Sequence, residues 1–426
     1  LVPAGRLGDA LGRRRMYLIA LAAFGLTSAL SGAAPNATLL IAARLLQGAA
    51  GGMLTPQNTG LIQELFRGGE RGRAFGFMGA AVGLSTAVGP VIGGLILTAF
   101  AGPGGWRWVF YVNVPIGLVA LLLAVRLVPP AAPGGGLRGV RPDLVGALLL
   151  AGGVVCVLLP LVEAETGGLR QLWWLFLLAA LLLVAFARWE VRTVRRRARP
   201  VLDPRLARAP GYSAGAAIAL TYFMGFTGVW LIFALYFQHG LGYSPLRSGV
   251  AVTPFALGLA VSAVIAGRLV PRLGRWLTVT GVASAAAGLA VAGFVLSRVA
   301  GADLAAWAVA GPLLLAGLGA GMVTSPNTTL TLAAVPSRMA GAAGGALQTV
   351  QRIGSAVGTA VLVSVFYQVL GHTRADYRTA VFGTLLSASG LMLVALGLAV
   401  WDLFRQRRAR AHRPSPAARH EHHHHF

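Results

Sequence analysis

The chain has 426 residues, of which 56% are hydrophobic and 11% charged, with a formal net charge of +24 and a mean hydropathy of +0.72. A water-soluble domain carries about 25% charged residues, so an ordinary soluble globule is excluded. The positive charges punctuate apolar runs instead of forming a patch on a polar surface, which argues against a nucleic-acid-binding protein.

Apolar runs of about 20 residues, the length a helix needs to cross a bilayer, recur along the whole chain, without the period-2 alternation of a membrane barrel. The expected class is an all-α integral membrane protein with twelve transmembrane helices. In chain order, the sequence opens on LVPAGRLGDALGRRRMYL (1–18), whose core GRLGDALGRR reads as a tight polar loop against an apolar run. Four spans follow at 16–34, 38–60, 75–99 and 106–127. The second holds LIAARLLQG (40–48), with Arg44 two turns inside it. The third holds GLSTAVGPVIGG (83–94), and the fourth opens on WRWVFYVNVPIG (106–117). The Pro/Gly-rich segment 128–142 reads as a flexible connector. Spans 143–163 and 171–188 come next, with the lone Cys156 as a small packing residue. A basic loop, 188–210, leads to six more spans at 211–236, 246–267, 277–297, 305–332, 342–367 and 380–403. The tail from 405 is basic, polar and expected to be disordered. Its HEHHHH tract lacks companion ligands, so no metal and no cofactor are expected. The organisation is then 1–127, an N-terminal bundle; 128–210, two extra helices with linkers; 211–404, a six-helix bundle; and 405–426, the tail.

All 36 basic residues are arginine, which points to a GC-rich genome. With the 1–15 segment placed inside, 28 arginines fall in inside segments and 6 in outside ones. Arg-rich loops stay cytoplasmic, so this asymmetry predicts a cytoplasmic C-terminus in a bacterial inner membrane. The charge would face the anionic inner leaflet.

The sequence repeats itself. GRLGDALGR (5–13) and GRLVPRLGR (267–275) agree at six of nine positions, at an offset of 262. GGMLTPQNT (51–59) and AGMVTSPNT (320–328) share Met, Thr, Asn and Thr at an offset of 269. Parallel repeats of this kind occur in secondary transporters. Two spans precede the second GRLxxxLGR and none precedes the first, so an intact protein is expected to carry two more helices at its front, fourteen in all.

On these motifs the chain resembles the fourteen-helix drug/proton antiporters of the major facilitator superfamily. GRLGDALGRR is similar to the family's loop signature, LIAARLLQG to its fourth-helix motif, GLSTAVGPVIGG to its antiporter motif, and WRWVFYVNVPIG to the sixth-helix opening of that branch. The resemblance implies two pseudo-symmetric helical bundles plus two linking helices, and export by alternating access. It also implies a cytoplasmic latch from Gly5, Asp9, Gly12, Arg13 and Arg14. Asp9 would meet a helix N-terminus or an Arg of the other half, and the arginines would hold the face closed by ion pairs. Topogenic charge alone is the competing reading. Pro271 stands where the second copy would have Asp9, so the latch is expected to be asymmetric. Arg44, with Gln47 and Gly48, would tune a proton-carrying carboxylate or snorkel to the surface. Gly83, Gly89, Gly93 and Gly94 would let a neighbouring helix approach closely, with Pro90 kinking the helix. Asn113, Tyr222, Trp230, Phe233, Asn327, Gln348 and Arg352 are candidates for a substrate cavity. The aromatics are equally readable as lipid-facing, and Arg352 as snorkelling or bonding between helices.

All twelve acidic residues are placed in loops or at span ends. A proton-coupled pump needs a titratable group within the membrane, so the resemblance would put the coupling carboxylate on a preceding helix. The chain as given is then expected not to perform coupled export by itself. The expected partners are protons, a small amphipathic drug-like substrate and the bilayer, acting on a monomer. Transport of another metabolite, or a non-functional truncated transporter, is the alternative. No Lys occurs, so no P-loop exists and ATP-driven pumping is disfavoured. No HExxH or GxSxG supports a membrane-embedded enzyme.

Overall fold

The computed structural model describes residues 1–130, 143–163, 167–196 and 203–411, with the side chains of Ala87, Pro90 and Val194 also set aside. Residues 131–142 of the predicted connector and the tail beyond Ala411 lie outside the described residues. A short helix α1 (Val2–Leu11) is followed by twelve helices long and apolar enough to cross a membrane. These are α2 (Arg13–Ala33), α3 (Ala37–Leu65), α4 (Gly69–Ala99), α5 (Arg107–Leu127), α6 (Leu144–Val162) and α7 (Trp174–Arg195). The remaining six are α8 (Tyr212–Gly240), α9 (Pro245–Leu273), α10 (Arg275–Arg298), α11 (Ala302–Leu332), α12 (Ser337–His372) and α13 (Tyr377–Ala411).

Helix boundaries follow local chemistry. The Asn36 side chain accepts from Leu39 N at 2.9 Å and starts α3. The Asp143 side chain accepts from Gly146 N at 2.9 Å and starts α6, each satisfying an otherwise orphaned N–H. Several helices outrun their predicted spans. α13 reaches Ala411 where hydropathy stops at 403, because backbone hydrogen bonding continues after the side chains turn polar.

The opening segment corrects the loop reading. GRLGDAL is helical, and Gly12 alone makes the turn, at φ 105°. In the second copy GRLVPRL closes α9, and Gly274 turns at φ 53°. A side chain at either glycine would be strained, so the repeat preserves the one backbone feature that joins two helices end to end.

α2 packs on α3 and α5, and α6 pairs with α7. α9 and α10 pack on α11, α10 on α13, and α8 on α12 and α13. The largest core lies in α8–α13, with Phe233, Phe237, Phe255 and Phe366 buried there. α9 and α10 bury 50% of their most apolar windows, whereas α4 and α5 bury 6%. Leu84, Leu95, Leu118 and Leu122 lie exposed on those two helices. An apolar surface of that extent needs lipid or another apolar surface against it.

Candidate functional site

Two ionic clusters stand at the end of the bundle where the repeated GRLxxxLGR motifs lie. The first joins α1 and α3 to α11 and α12. α1 crosses the start of α12 so closely that a side chain at Gly5 would collide with the Gly341 carbonyl. That approach brings Asp9 to the first turn of α12. Its Oδ1 accepts from Gly341 N at 2.9 Å and its Oδ2 from Ala342 N at 3.0 Å. The positive end of a helix dipole suits a carboxylate there. Arg13 pairs with Asp9 at 2.8 Å and with Glu64 at 2.7 Å, and donates to the Ser337 carbonyl. Gln63 Nε2 donates to Leu332 O at 2.7 Å, and Gln348 Nε2 to Thr59 Oγ1 at 3.4 Å. α1, α2 and α3 are thereby fastened to α11 and α12 at this end. Arg14 departs from its predicted role: it makes no ion pair among the described residues and caps the end of α5 through Val125 O and Val128 O, each at 3.0 Å.

Burial pushes the Asp9 carboxyl up from its ordinary value, while Arg13 and the Ala342 and Gly341 N–H groups pull it back. The net direction is up, so the closed end binds a proton at Asp9 more readily than an open end in which the carboxyl meets water. Closure is therefore favoured below the ordinary carboxyl value and loses that support as pH rises through the raised one. In a Cys156→Ser background, spin labels at Phe66 and Arg338 report this. Their short-distance population is expected to grow as pH falls, and to become independent of pH in Asp9→Asn. Pronounced growth on raising pH would contradict the assignment.

The second cluster is internal to α8–α13. Arg275, the repeat counterpart of Arg13, pairs with Asp402 at 3.0 Å, both side chains being fully buried. Its Nη1 donates to Asn327 Oδ1 at 2.7 Å, and Asn327 Nδ2 donates to Gly215 O at 3.1 Å. Asp402 also accepts from Arg405 at 3.0 Å and Gln406 at 2.9 Å. Asn327 is thus part of an ionic network and not of a cavity wall. The predicted placement of every acid in a loop or at a span end also needs correcting, since Asp9, Glu190 and Asp402 are buried within helices. Asp402 was legible in one respect: it is the sole acid near the end of the last span.

The other predicted residues are dispersed. Arg44 is exposed; it donates to Gln47 Oε1 at 2.6 Å and sits 5.4 Å over the Phe110 ring. Among the described residues no ion pair joins it to a carboxylate, so the tuning role has no partner here. Among the described residues nothing lies within 4 Å of a Cβ position at Gly48, Gly89 or Gly93. Of the motif's glycines, Gly83 makes the close crossing expected of it, against Leu259 and Ala260 of α9, and Gly72, earlier on α4, meets Gly267. Gly94 makes ordinary contact with Leu246, and the Pro90 side chain lies outside the described residues. Tyr222 and Phe233 are fully buried in the main core, where packing and not an open pocket surrounds them. Trp230 is half-buried, edge-on to Phe255 at 4.6 Å. Asn113 donates to Ser28 Oγ at 3.1 Å, tying α5 to α2. Arg352, with Ser355 and Thr359, lines a cavity of about 400 Å³ between α12 and α6.

Comparison with known proteins follows the same lines. The sequence model described as Major Facilitator Superfamily matches residues 1–359. The chain is 37% identical over 377 residues to a probable actinorhodin transporter of Streptomyces coelicolor, covering 87% of this chain and 64% of that protein. It is 38% identical over 406 residues to the puromycin resistance protein pur8 of Streptomyces alboniger, covering 94% and 78%. The chain thus spans about two-thirds of the length of the first of these relatives. Among solved structures, the human organic anion transporter MFSD10 superposes with a TM-score of 0.62 at 17% identity, covering 93% of this chain and 79% of that one. That likeness concerns the fold.

Proposed function

This chain belongs to the Major Facilitator Superfamily, and from that premise we propose that it is a proton-driven exporter of antibiotic-like small molecules, with the arginine-rich end cytoplasmic and closed. The observation that carries the reading is the Asp9–Arg13 latch, which fastens α1 and α3 to the N-terminal end of α12 at one end of the bundle. In alternating access such a contact biases one of two states. Breaking it at that end exposes whatever lies between the halves to the cytoplasm, and remaking it returns the protein to an outward-facing state. The 28 to 6 arginine asymmetry favours the orientation. The names of the two Streptomyces relatives, a probable antibiotic transporter and a resistance protein, favour the substrate class.

The division into an N-terminal bundle, two linking helices and a six-helix bundle is part of the proposal, as is a monomeric state. The linking pair α6 and α7 packs chiefly on itself and reaches the rest through α12 and, by Phe186 against Val2, through α1. That arrangement suits an accessory hairpin beside a two-bundle transporter.

Asp9 and Asp402 are acids buried within helices, so the chain itself holds the titratable groups that its sequence was expected to lack. The expectation that it cannot perform coupled export alone is given up here: in a host stripped of its own efflux pumps, cells producing the chain are expected to tolerate several-fold more puromycin than cells carrying an empty vector. Cells producing Asp9→Ala at equal membrane abundance are expected to lose that advantage. Equal sensitivity of all three strains across a panel of aromatic antibiotics would reject the substrate class.

A further inference from the structure

A cavity of about 610 Å³ opens at the arginine-rich end, between the N-terminus of α4, the α9–α10 turn and the last turns of α13. Four arginines line it: Arg272, Arg275, Arg407 and Arg410. Among the described residues no carboxylate lines it. Asp402 meets Arg275 at Nε, and among the described residues no ion pair engages Arg272, Arg407 or Arg410. Gly68 and Gly69 bring the positive end of the 31-residue helix α4 to the same wall. Arg272, Arg407 and Arg410 are exposed and Arg275 is buried, so like charges gather around one opening and an anion placed there would be attracted by all of them.

Arg275 adds an independent pointer. Its side chain is fully buried, with Nε held by Asp402 and Nη1 by Asn327. Its Nη2 is buried and has no partner among the described residues. A buried guanidinium nitrogen without an acceptor is costly, and Asp402, Asn327 and Thr278 already hold the rest of the group. An oxygen of an anion in the cavity would satisfy it. A guanidinium cluster of this kind matches phosphate, which offers several acceptor oxygens at once.

The remaining wall selects among phosphates. Trp276 and Leu273 line the cavity and are 45% and 44% exposed. Arg407 lies 5.2 Å over the Trp276 ring. Tryptophan beside arginine is the pairing found where a membrane helix meets the headgroup layer. We infer that this cavity binds the headgroup of an anionic phospholipid, its phosphate among the four arginines and its acyl chains along Leu273 and Trp276. The reading does not depend on the transported substrate. The occupant would bridge α4 of one half to α9, α10 and α13 of the other, so it would bear on how the halves meet.

The test uses the full chain in nanodiscs of phosphatidylcholine containing phosphatidylglycerol, with retained lipid counted by native mass spectrometry. Wild type is expected to keep one phosphatidylglycerol in preference to phosphatidylcholine. Arg272→Gln/Arg407→Gln/Arg410→Gln leaves the buried Arg275–Asp402 pair intact and is expected to weaken retention roughly a hundredfold, at about fivefold per arginine near a membrane surface. A charge-matched control on α7, Arg188→Gln/Arg192→Gln/Arg195→Gln, is expected to retain the lipid. Equal loss in both variants would mean general attraction to anionic lipid and would overturn the site. Unchanged retention in the first variant would overturn it as well. In phosphatidylcholine nanodiscs, inorganic phosphate is expected to give no thermal stabilisation below millimolar concentrations. Stabilisation by phosphate without retention of phosphatidylglycerol would assign the cavity to a soluble anion and refute the lipid.

Discussion

Replacing Asp9 with alanine is expected to raise, by roughly a hundredfold, the rate at which a cysteine at position 59 reacts with a membrane-impermeant thiol reagent. Thr59 is buried between α3 and α12, against Gly344 and Gln348, so it is reached only when that end opens. Asp9 supplies both acceptors for the Gly341 and Ala342 N–H groups and one carboxylate for Arg13. Deleting one partner of a buried pair costs about 3–5 kcal/mol. Glu64, half-exposed, remains to hold Arg13, so the low end applies. About 3 kcal/mol is a hundredfold change in the population of the open form. The measurement uses Thr59→Cys in a Cys156→Ser background, with and without Asp9→Ala. Identical labelling rates would show that other contacts hold this end shut.

A larger loss of stability is expected at the second cluster. Asp402→Ala leaves the fully buried Arg275 without its carboxylate, and should destabilise the helical bundle of α8–α13 by about 3–5 kcal/mol. The double variant Arg275→Met/Asp402→Leu removes both charges and fills similar volume, so it should recover most of that loss. Unfolding by SDS titration of the purified protein separates the cases. If the single and double variants unfold together, the pair is not what stabilises the region.

These clusters also show where sequence and structure part. The twelve spans are legible because lipid demands about 20 apolar residues per crossing, and their centres coincide with the helices observed. Their ends are not. Hydropathy ends the last span at 403, which places Asp402 at water, whereas the helix runs on to Ala411 and neighbours bury the acid. GRLGDALGRR looks like a loop because glycine and charge are loop residues by composition. Its glycines instead allow helices to touch, and only Gly12 leaves helical geometry. Asp9 meeting a helix N-terminus is foreseeable from its motif, but which helix is not, since Gly341 is 332 residues away. The repeat carries more than either motif alone. It aligns Arg13 with Arg275, and Pro271 in place of Asp9 makes the latch asymmetric as expected; that Arg275 finds its acid at Asp402 is seen only in the structure. The antiporter motif is the opposite case. Its glycines are easy to read, yet Gly83 alone of them makes a close crossing, alongside Gly72 and Gly267, while among the described residues nothing lies within 4 Å of a Cβ position at Gly89 or Gly93.

The most direct test of the account is accumulation of a fluorescent aromatic antibiotic in everted membrane vesicles from cells producing the chain. Energised vesicles are expected to take up the compound, to release it when a protonophore collapses the proton gradient, and to lose uptake in Asp9→Ala. ATP depletion with the gradient maintained is expected to have no effect. Uptake that survives the protonophore but fails on ATP depletion, or vesicles that take up no more than controls, would contradict proton-driven export.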